Sequence, residues 1–166
     1  MTSKSTLERE VFPVRVRANR TDTWLAWEAP DGPAYFWATE EGVLCADSLS
    51  GLLEEIYRID AGASVGCESY FDLDGALRCI RERAAVDPEL MIDIWNLLTD
   101  LSRTFSGTRE IFRADLSDTY DVYFSRCEVA EFAGLGADEV SAANAENASE
   151  VLEEGLALIA AAIRGR

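Results

Sequence analysis

Carboxylates are the only acid–base groups that this sequence offers in quantity. It contains 31 aspartates and glutamates and no histidine. Without an imidazole, neither a Ser-His-Asp nor a Cys-His arrangement can activate a nucleophile. The single lysine, Lys4, lies in the N-terminal tail, so Schiff-base and P-loop chemistry lack their lysine. A pair of carboxylates about 5–10 Å apart can hydrolyse glycosides, so a carboxylate-based hydrolase remains an alternative. The residue types as a whole predict a protein that is not an enzyme.

The sequence carries no pattern typical of a metal or cofactor site. The four cysteines contain no C-x-x-C pair and are Cys45, Cys67, Cys79 and Cys127. A zinc site without histidine would need all four thiolates, normally in close pairs, so we expect buried, reduced thiols instead. Asp72 and Asp74 resemble the start of a calcium loop, but no further ligands follow at the required spacing. We therefore predict no cofactor and no metal.

Two segments combine acidic and aromatic side chains, a composition typical of protein interfaces. Tyrosine supplies a large, rigid contact area with a polar tip, and neighbouring carboxylates suit the cationic side chains of a partner. The predicted partner-contact residues are Glu68, Tyr70, Asp72, Asp74, Asp115, Asp118, Tyr120, Asp121 and Tyr123. The alternative is that the aromatic residues Tyr70, Phe71 and Tyr123 belong to the core, while acids such as Asp72 cap helices.

The charge balance indicates which partners the chain can bind. The net charge is −16, and residues 127–163 contain no basic side chain. Such a field repels nucleic acid and anionic membranes and attracts cationic protein surfaces. The alternative is that the charge serves solubility alone. The N-terminus has no apolar signal-peptide region, and no stretch approaches the roughly 18 apolar residues of a membrane span, which predicts a cytoplasmic protein.

Strand patterns come first along the chain and helical patterns follow, which predicts an α+β fold. We expect residues 1–10 to form a disordered tail and residues 11–166 a single domain. Its N-terminal part should be an antiparallel β-meander of three to four strands, with a hairpin around the turn at 29–33. Pro13 predicts that the first strand lies at a sheet edge or that the proline lies at a strand end.

Four or more α-helices should pack against one face of this meander. Helix starts are predicted at Asp47 or Ser48, at Asp72 or Asp74, at the Asp87-Pro88-Glu89 run, and near Asn147. Between 110 and 127 the periodicity does not separate strand from helix, and we favour a short irregular segment or helix there.

Four short runs in this order resemble immunity proteins of bacterial polymorphic toxin systems, such as contact-dependent growth inhibition. They lie within residues 40–163 and are Val43–Leu49, Ile94–Leu101, Tyr120-Asp121-x-x-Phe124 and Glu153-Glu154-Gly155-Leu156. The resemblance implies a small acidic protein that binds one cognate toxin domain, often a nuclease with a basic cleft, and blocks its active site. The resemblance does not identify which residues of this chain contact the toxin. A secretion chaperone or adaptor is the other binding function that the composition allows.

Overall fold

The computed structural model describes residues 10–29, 34–40, 42–82, 87–106, 118–125 and 142–163. These ranges contain eight strands and five helices, which confirms the predicted α+β class. The strands are β1 Glu10–Ala18, β2 Thr21–Glu28, β3 Tyr35–Phe36, β4 Ala38–Thr39, β5 Gly42–Val43, β6 Cys45–Ala46, β7 Ser64–Val65 and β8 Ser69–Asp72. The helices are α1 Leu49–Ile59, α2 Leu73–Arg81, α3 Pro88–Ser106, α4 118–125 and α5 Ala142–Ile163.

The main sheet is mixed, with β1 at its centre. β1 pairs with β2 in antiparallel register along nearly its whole length, and β2 pairs in turn with β3 and β6. The predicted hairpin pairing of the second and third strands is therefore confirmed, although its turn at 30–33 lies outside the described residues. On its other edge β1 pairs in parallel with β7 and β8, which the expected meander did not include. β4 and β5 form a separate two-stranded sheet.

Pro13 lies inside the central strand, so the prediction of an edge strand or a strand end was wrong. The carbonyl of Val11 accepts a hydrogen bond from the Gly66 amide at 2.9 Å and therefore points away from β2. Backbone groups alternate along a strand, which directs the nitrogen of Pro13 to the same side. There it faces the gap between two strands. β7 pairs with β1 only as far as Val11, and β8 pairs with β1 only from Val14 onward. The missing N–H of proline thus falls where no strand could accept it.

Helices cover both faces of the sheet, whereas the prediction was that they would cover one. Val14, Val16 and Leu25 point into a core that they share with α2, α3, α4 and α5. Val11 and Ala26 have the opposite parity along the strands, and they pack on the other face against α1. Because β1 and β2 are apolar on both faces over part of their length, each face needs its own covering layer.

The predicted helix starts are confirmed for the first three helices. The Ser48 and Asp72 side chains cap α1 and α2 by accepting the amides of Gly51 and Gly75. Helix α3 begins at Pro88, and α5 begins at Ala142, five residues before the predicted Asn147.

The remaining predictions fall partly on residues that the structure does not describe. Residues 1–9 of the predicted tail lie outside the described ranges, whereas Glu10 already belongs to β1. Of the ambiguous 110–127 segment, residues 118–125 form α4. Cys45 is buried as expected, but Cys67 is exposed in the connection between β7 and β8. Among the described helices, none has an apolar stretch long enough to cross a bilayer.

Candidate binding surfaces

A row of aromatic rings leads from the core to solvent where α4 packs on α3. Trp95, buried in α3, makes an edge contact with the Tyr120 ring at a centroid distance of 5.5 Å. Tyr120 in turn stacks on Phe124 at 6.2 Å and donates its hydroxyl hydrogen to Asn96 Oδ1 at 3.3 Å. Phe124 remains 46% exposed. The stacked rings hold Phe124 in a fixed position, so its exposed side is an ordered apolar contact area.

Exposed carboxylates lie on the same two helices as these rings. Asp118 and Asp121 are exposed on α4, and Glu89 and Asp93 are exposed on the α3 turns that precede Asn96. Partial burial, together with the negative charges of Glu89 and Asp87, raises the pKa of Asp93 above its usual 3.8. We call this region the α3–α4 surface, and its residues are Glu89, Asp93, Asn96, Asp118, Tyr120, Asp121 and Phe124.

The acids of the α3–α4 surface have no cationic partner within the part of the chain that the structure describes. Across the ranges that the structure describes, none of Glu89, Asp93, Asp118 and Asp121 forms a salt bridge. Like charges held close together raise one another's free energy, and the charges of Glu89 and Asp87 add to partial burial in raising the pKa of Asp93. A cationic group placed against this surface would relieve the repulsion, which makes the surface complementary to a basic partner.

Tyr123 cannot belong to a contact surface, so that part of the prediction was wrong. Its side chain is only 1% exposed and lies in the core between the sheet and the helices. Tyr123 lies four residues after the buried Thr119, on the inward face of α4, and Tyr120 and Phe124 flank this face. The alternative interpretation of Tyr123 as a core residue is therefore the correct one. Asp115, also predicted as a contact, lies outside the described residues.

The first predicted segment lies elsewhere, and its residues divide into two groups. Glu68 is exposed, and Tyr70 is 48% exposed beneath the guanidinium of Arg15, which lies 4.9 Å from the ring centroid. Asp72 and Asp74 have structural partners instead: Asp72 caps α2, and Asp74 accepts the backbone amides of the β1–β2 turn.

The two predicted segments do not form one surface. Phe71 packs in the core on the α2 side of the sheet, so its neighbour Tyr70 points to the opposite face, where α1 lies. The α3–α4 surface belongs to the helical layer on the Phe71 side. A partner that contacts the α3–α4 surface therefore meets Tyr120, Asp118 and Asp121 without also meeting Tyr70.

A groove that sequence reasoning missed opens between the β1–β2 turn, α2 and α5. It has a volume of about 1300 Å³, and four arginines line it: Arg17, Arg20, Arg78 and Arg81. We call it the arginine groove. The net charge of −16 gave no sign of it, because the four arginines come from distant parts of the chain and meet only in the fold.

Three of the four carboxylates that line the arginine groove are already engaged, and the fourth, Glu82, is exposed at the end of α2. Asp72 and Asp74 accept backbone amides, and Glu153 accepts a 2.8 Å hydrogen bond from Arg81. That hydrogen bond lowers the pKa of Glu153 below its usual 4.5. A glycosidase needs a carboxyl group whose pKa is raised, so that it can donate a proton near neutral pH. The geometry of this groove therefore gives no support to a carboxylate-based hydrolase.

Comparison with family models, with curated proteins and with solved structures found no match to this chain.

Proposed function

We propose that this chain is a cytosolic, immunity-type inhibitor that covers the basic substrate cleft of a cognate toxin domain with its α3–α4 surface. The observation that carries the proposal is the exposed ring of Phe124, stacked on the half-buried Tyr120, on helices whose exposed carboxylates form no salt bridge within the described ranges. The absence of histidine and the near-absence of lysine in the sequence also favour binding over catalysis.

The aromatic pair supplies the apolar centre that such an interface needs. Interface hot spots are typically aromatic side chains in the middle of a patch, with polar residues around them that exclude water. Phe124 and Tyr120 form the centre here, and Asp121 lies beside Tyr120 on the same short helix, whereas Asp118 lies on the other side of that helix. Because stacking already fixes the rings, little side-chain entropy remains to be lost when a partner binds.

The carboxylates act mainly on the rate of encounter and on the choice of partner. Negative charge around the patch accelerates association with a basic cleft and repels acidic partners. A nuclease cleft, which must attract phosphate, has the complementary sign. Occupying that cleft blocks substrate without any chemistry by the inhibitor itself.

The test is inhibition and binding of the toxin domain encoded beside the gene. Phe124→Ala should weaken binding about tenfold or more, as expected for a central hot spot. Tyr57→Ala is the matched control, because Tyr57 is equally exposed, at 47%, but lies on α1 on the other face of the sheet. It should change the affinity less than about twofold.

Three results would contradict the proposal. One is a toxin domain that retains full activity in the presence of excess inhibitor. Another is equal loss of binding in the Phe124 and Tyr57 variants, since this would separate the contact from the α3–α4 surface. The third is an affinity that does not change with salt, which a chaperone that captures partly unfolded chains through apolar contacts would give.

A further inference from the structure

The arginines of the arginine groove are poorly paired, in contrast to those elsewhere in the described structure. Outside the groove, Arg15, Arg58 and Arg103 each have a carboxylate within 3.3 Å. Within the described ranges, Arg20 and Arg78 form no salt bridge at all. Three of the groove's four carboxylates already have partners, so the unpaired guanidinium groups of Arg20 and Arg78 leave donors in this concavity for an external anion.

The groove's other two arginines, Arg17 and Arg81, supply further hydrogen-bond donors. Arg17 lies 3.9 Å from Asp22, but Asp22 is already bound by Arg15 at 2.6 Å. Arg81 shares its guanidinium with Glu153 through one nitrogen. Each guanidinium has five N–H donors, so both retain unused donors in addition to those of Arg20 and Arg78.

Arg20 occupies its position at a conformational cost. Asn19 and Arg20 form the β1–β2 turn, and both have left-handed backbone conformations, with φ of 53° and 64°. Tight hairpin turns of this kind favour Asn followed by Gly, because an ordinary side chain is strained there. An arginine where glycine would be relaxed is the kind of local strain that accompanies binding sites.

The turn is fixed against the helices, which sets the position of the Arg20 backbone. The Asp74 carboxylate at the start of α2 accepts the Asn19 and Arg20 amides at 3.0 and 2.7 Å. The Asn19 side chain donates to the Leu156 carbonyl of α5 at 3.2 Å. The backbone of this wall is therefore pre-organised, whereas the four arginine side chains are exposed to solvent.

One side of the groove is apolar and built from small residues. Leu77 contributes from α2, and Leu156, Ala157 and Ala160 contribute from α5. Arginine suits phosphate because its planar fork donates two parallel hydrogen bonds, and a flat apolar side suits an organic ring system. A polymeric nucleic acid is disfavoured by the overall charge of −16, whereas a small anion responds mainly to the side chains that line the groove, within a screening length of about 8 Å.

We propose that the arginine groove binds a small organic phosphate of nucleoside-diphosphate size, with the phosphates on Arg20 and Arg78 and the organic part on the α5 side. This site is independent of the α3–α4 surface, and its test needs no toxin partner.

The test is titration of the full chain, in a buffer free of phosphate, with ADP, pyrophosphate and adenosine, followed by calorimetry and by thermal shift. ADP should bind more tightly than pyrophosphate, and adenosine should give no shift. Arg20→Gln and Arg78→Gln should each weaken ADP binding about tenfold or more, because each removes a charge-assisted contact. Arg58→Gln, which removes an arginine on α1 outside the groove, should leave the ADP affinity unchanged.

No ADP binding by the unaltered chain would overturn the proposal, and so would equal weakening in all three variants, which would indicate general electrostatics. Binding of pyrophosphate but not of ADP would also overturn the proposal, because the apolar side would then play no part. Circular dichroism of each variant verifies folding, and Arg78→Gln on the exposed face of α2 tests the site without altering the strained turn.

Discussion

Replacing Arg20 with glycine should stabilise the protein while it removes a proposed ligand-binding group. A non-glycine residue in the left-handed region costs about 1–2 kcal/mol, and Arg20 has a φ of 64°. Glycine removes this cost but adds about 0.5–1 kcal/mol of unfolded-state entropy. Because the Arg20 guanidinium forms no salt bridge in the described ranges, little else is lost. The net expectation is a gain of about 0.5–1 kcal/mol in the free energy of unfolding.

Asn19→Gly is the matched variant in the same turn, and it should have the opposite sign. Asparagine tolerates the left-handed region, so glycine relieves little strain there. The variant also loses the hydrogen bond from the Asn19 side chain to the Leu156 carbonyl. Such a bond contributes about 0.5–1.5 kcal/mol, and with the added chain entropy the expected loss is about 1–2.5 kcal/mol.

Urea unfolding of the two variants beside the unaltered chain gives both values, and thermal unfolding should show rises or falls of about 2–4 °C per kcal/mol. The reasoning is refuted if Arg20→Gly destabilises the protein as much as Asn19→Gly does. That result would mean that the Arg20 side chain contributes stability to the turn, and the strain argument for the arginine groove would be lost.

Two further predictions concern the helical layer. A methyl group added at Gly155 would approach Leu98 Cδ2 to 2.8 Å. Gly155→Ala should therefore lower the free energy of unfolding in urea by up to about 2 kcal/mol, because overpacking costs about 1–3 kcal/mol and alanine gains about 1 kcal/mol of helix propensity. Unchanged stability would mean that α5 does not approach α3 so closely. Burial and the charges of Glu89 and Asp87 raise the pKa of Asp93. The folded state therefore binds the Asp93 proton more readily than the unfolded state does. Stability falls as pH rises through the window between 3.8 and the raised pKa. Asp93→Asn should therefore raise the melting temperature at neutral pH and lose that advantage below this window; equal melting temperatures at every pH would refute the assignment.

Local signals in the sequence predicted much of the fold. Asp72 and Ser48 cap helices as their positions indicated, because N-capping depends only on the few residues that follow. The aromatic runs around Trp27 and Phe36 pair as predicted, since a hairpin is also a short-range structure. The parallel strand β8 was missed because four residues are too few to show a period, and its Tyr70 and acids resembled an interface segment.

The candidate sites were harder to predict because they depend on long-range packing. Tyr120 and Tyr123 lie close in sequence, but only the docking of α4 on α3 places one at the surface and the other in the core. The arginine groove needs the β1–β2 turn, α2 and α5 to meet, and the tie from Asn19 to Leu156 spans most of the chain. The net charge of the sequence describes only the average surface. The fold divides that surface into an acidic patch and a separate concavity lined by arginines.

The central claim is that the carboxylates of the α3–α4 surface guide a basic partner onto this protein. The most direct measurement is the association rate constant with the toxin domain between about 50 and 500 mM salt, for the unaltered chain and for an Asp118→Asn, Asp121→Asn variant. The rate should fall about tenfold or more as salt rises, and the variant should associate more slowly at low salt with a shallower salt dependence. A rate that is independent of salt, or equal salt dependences for the two proteins, would contradict the account.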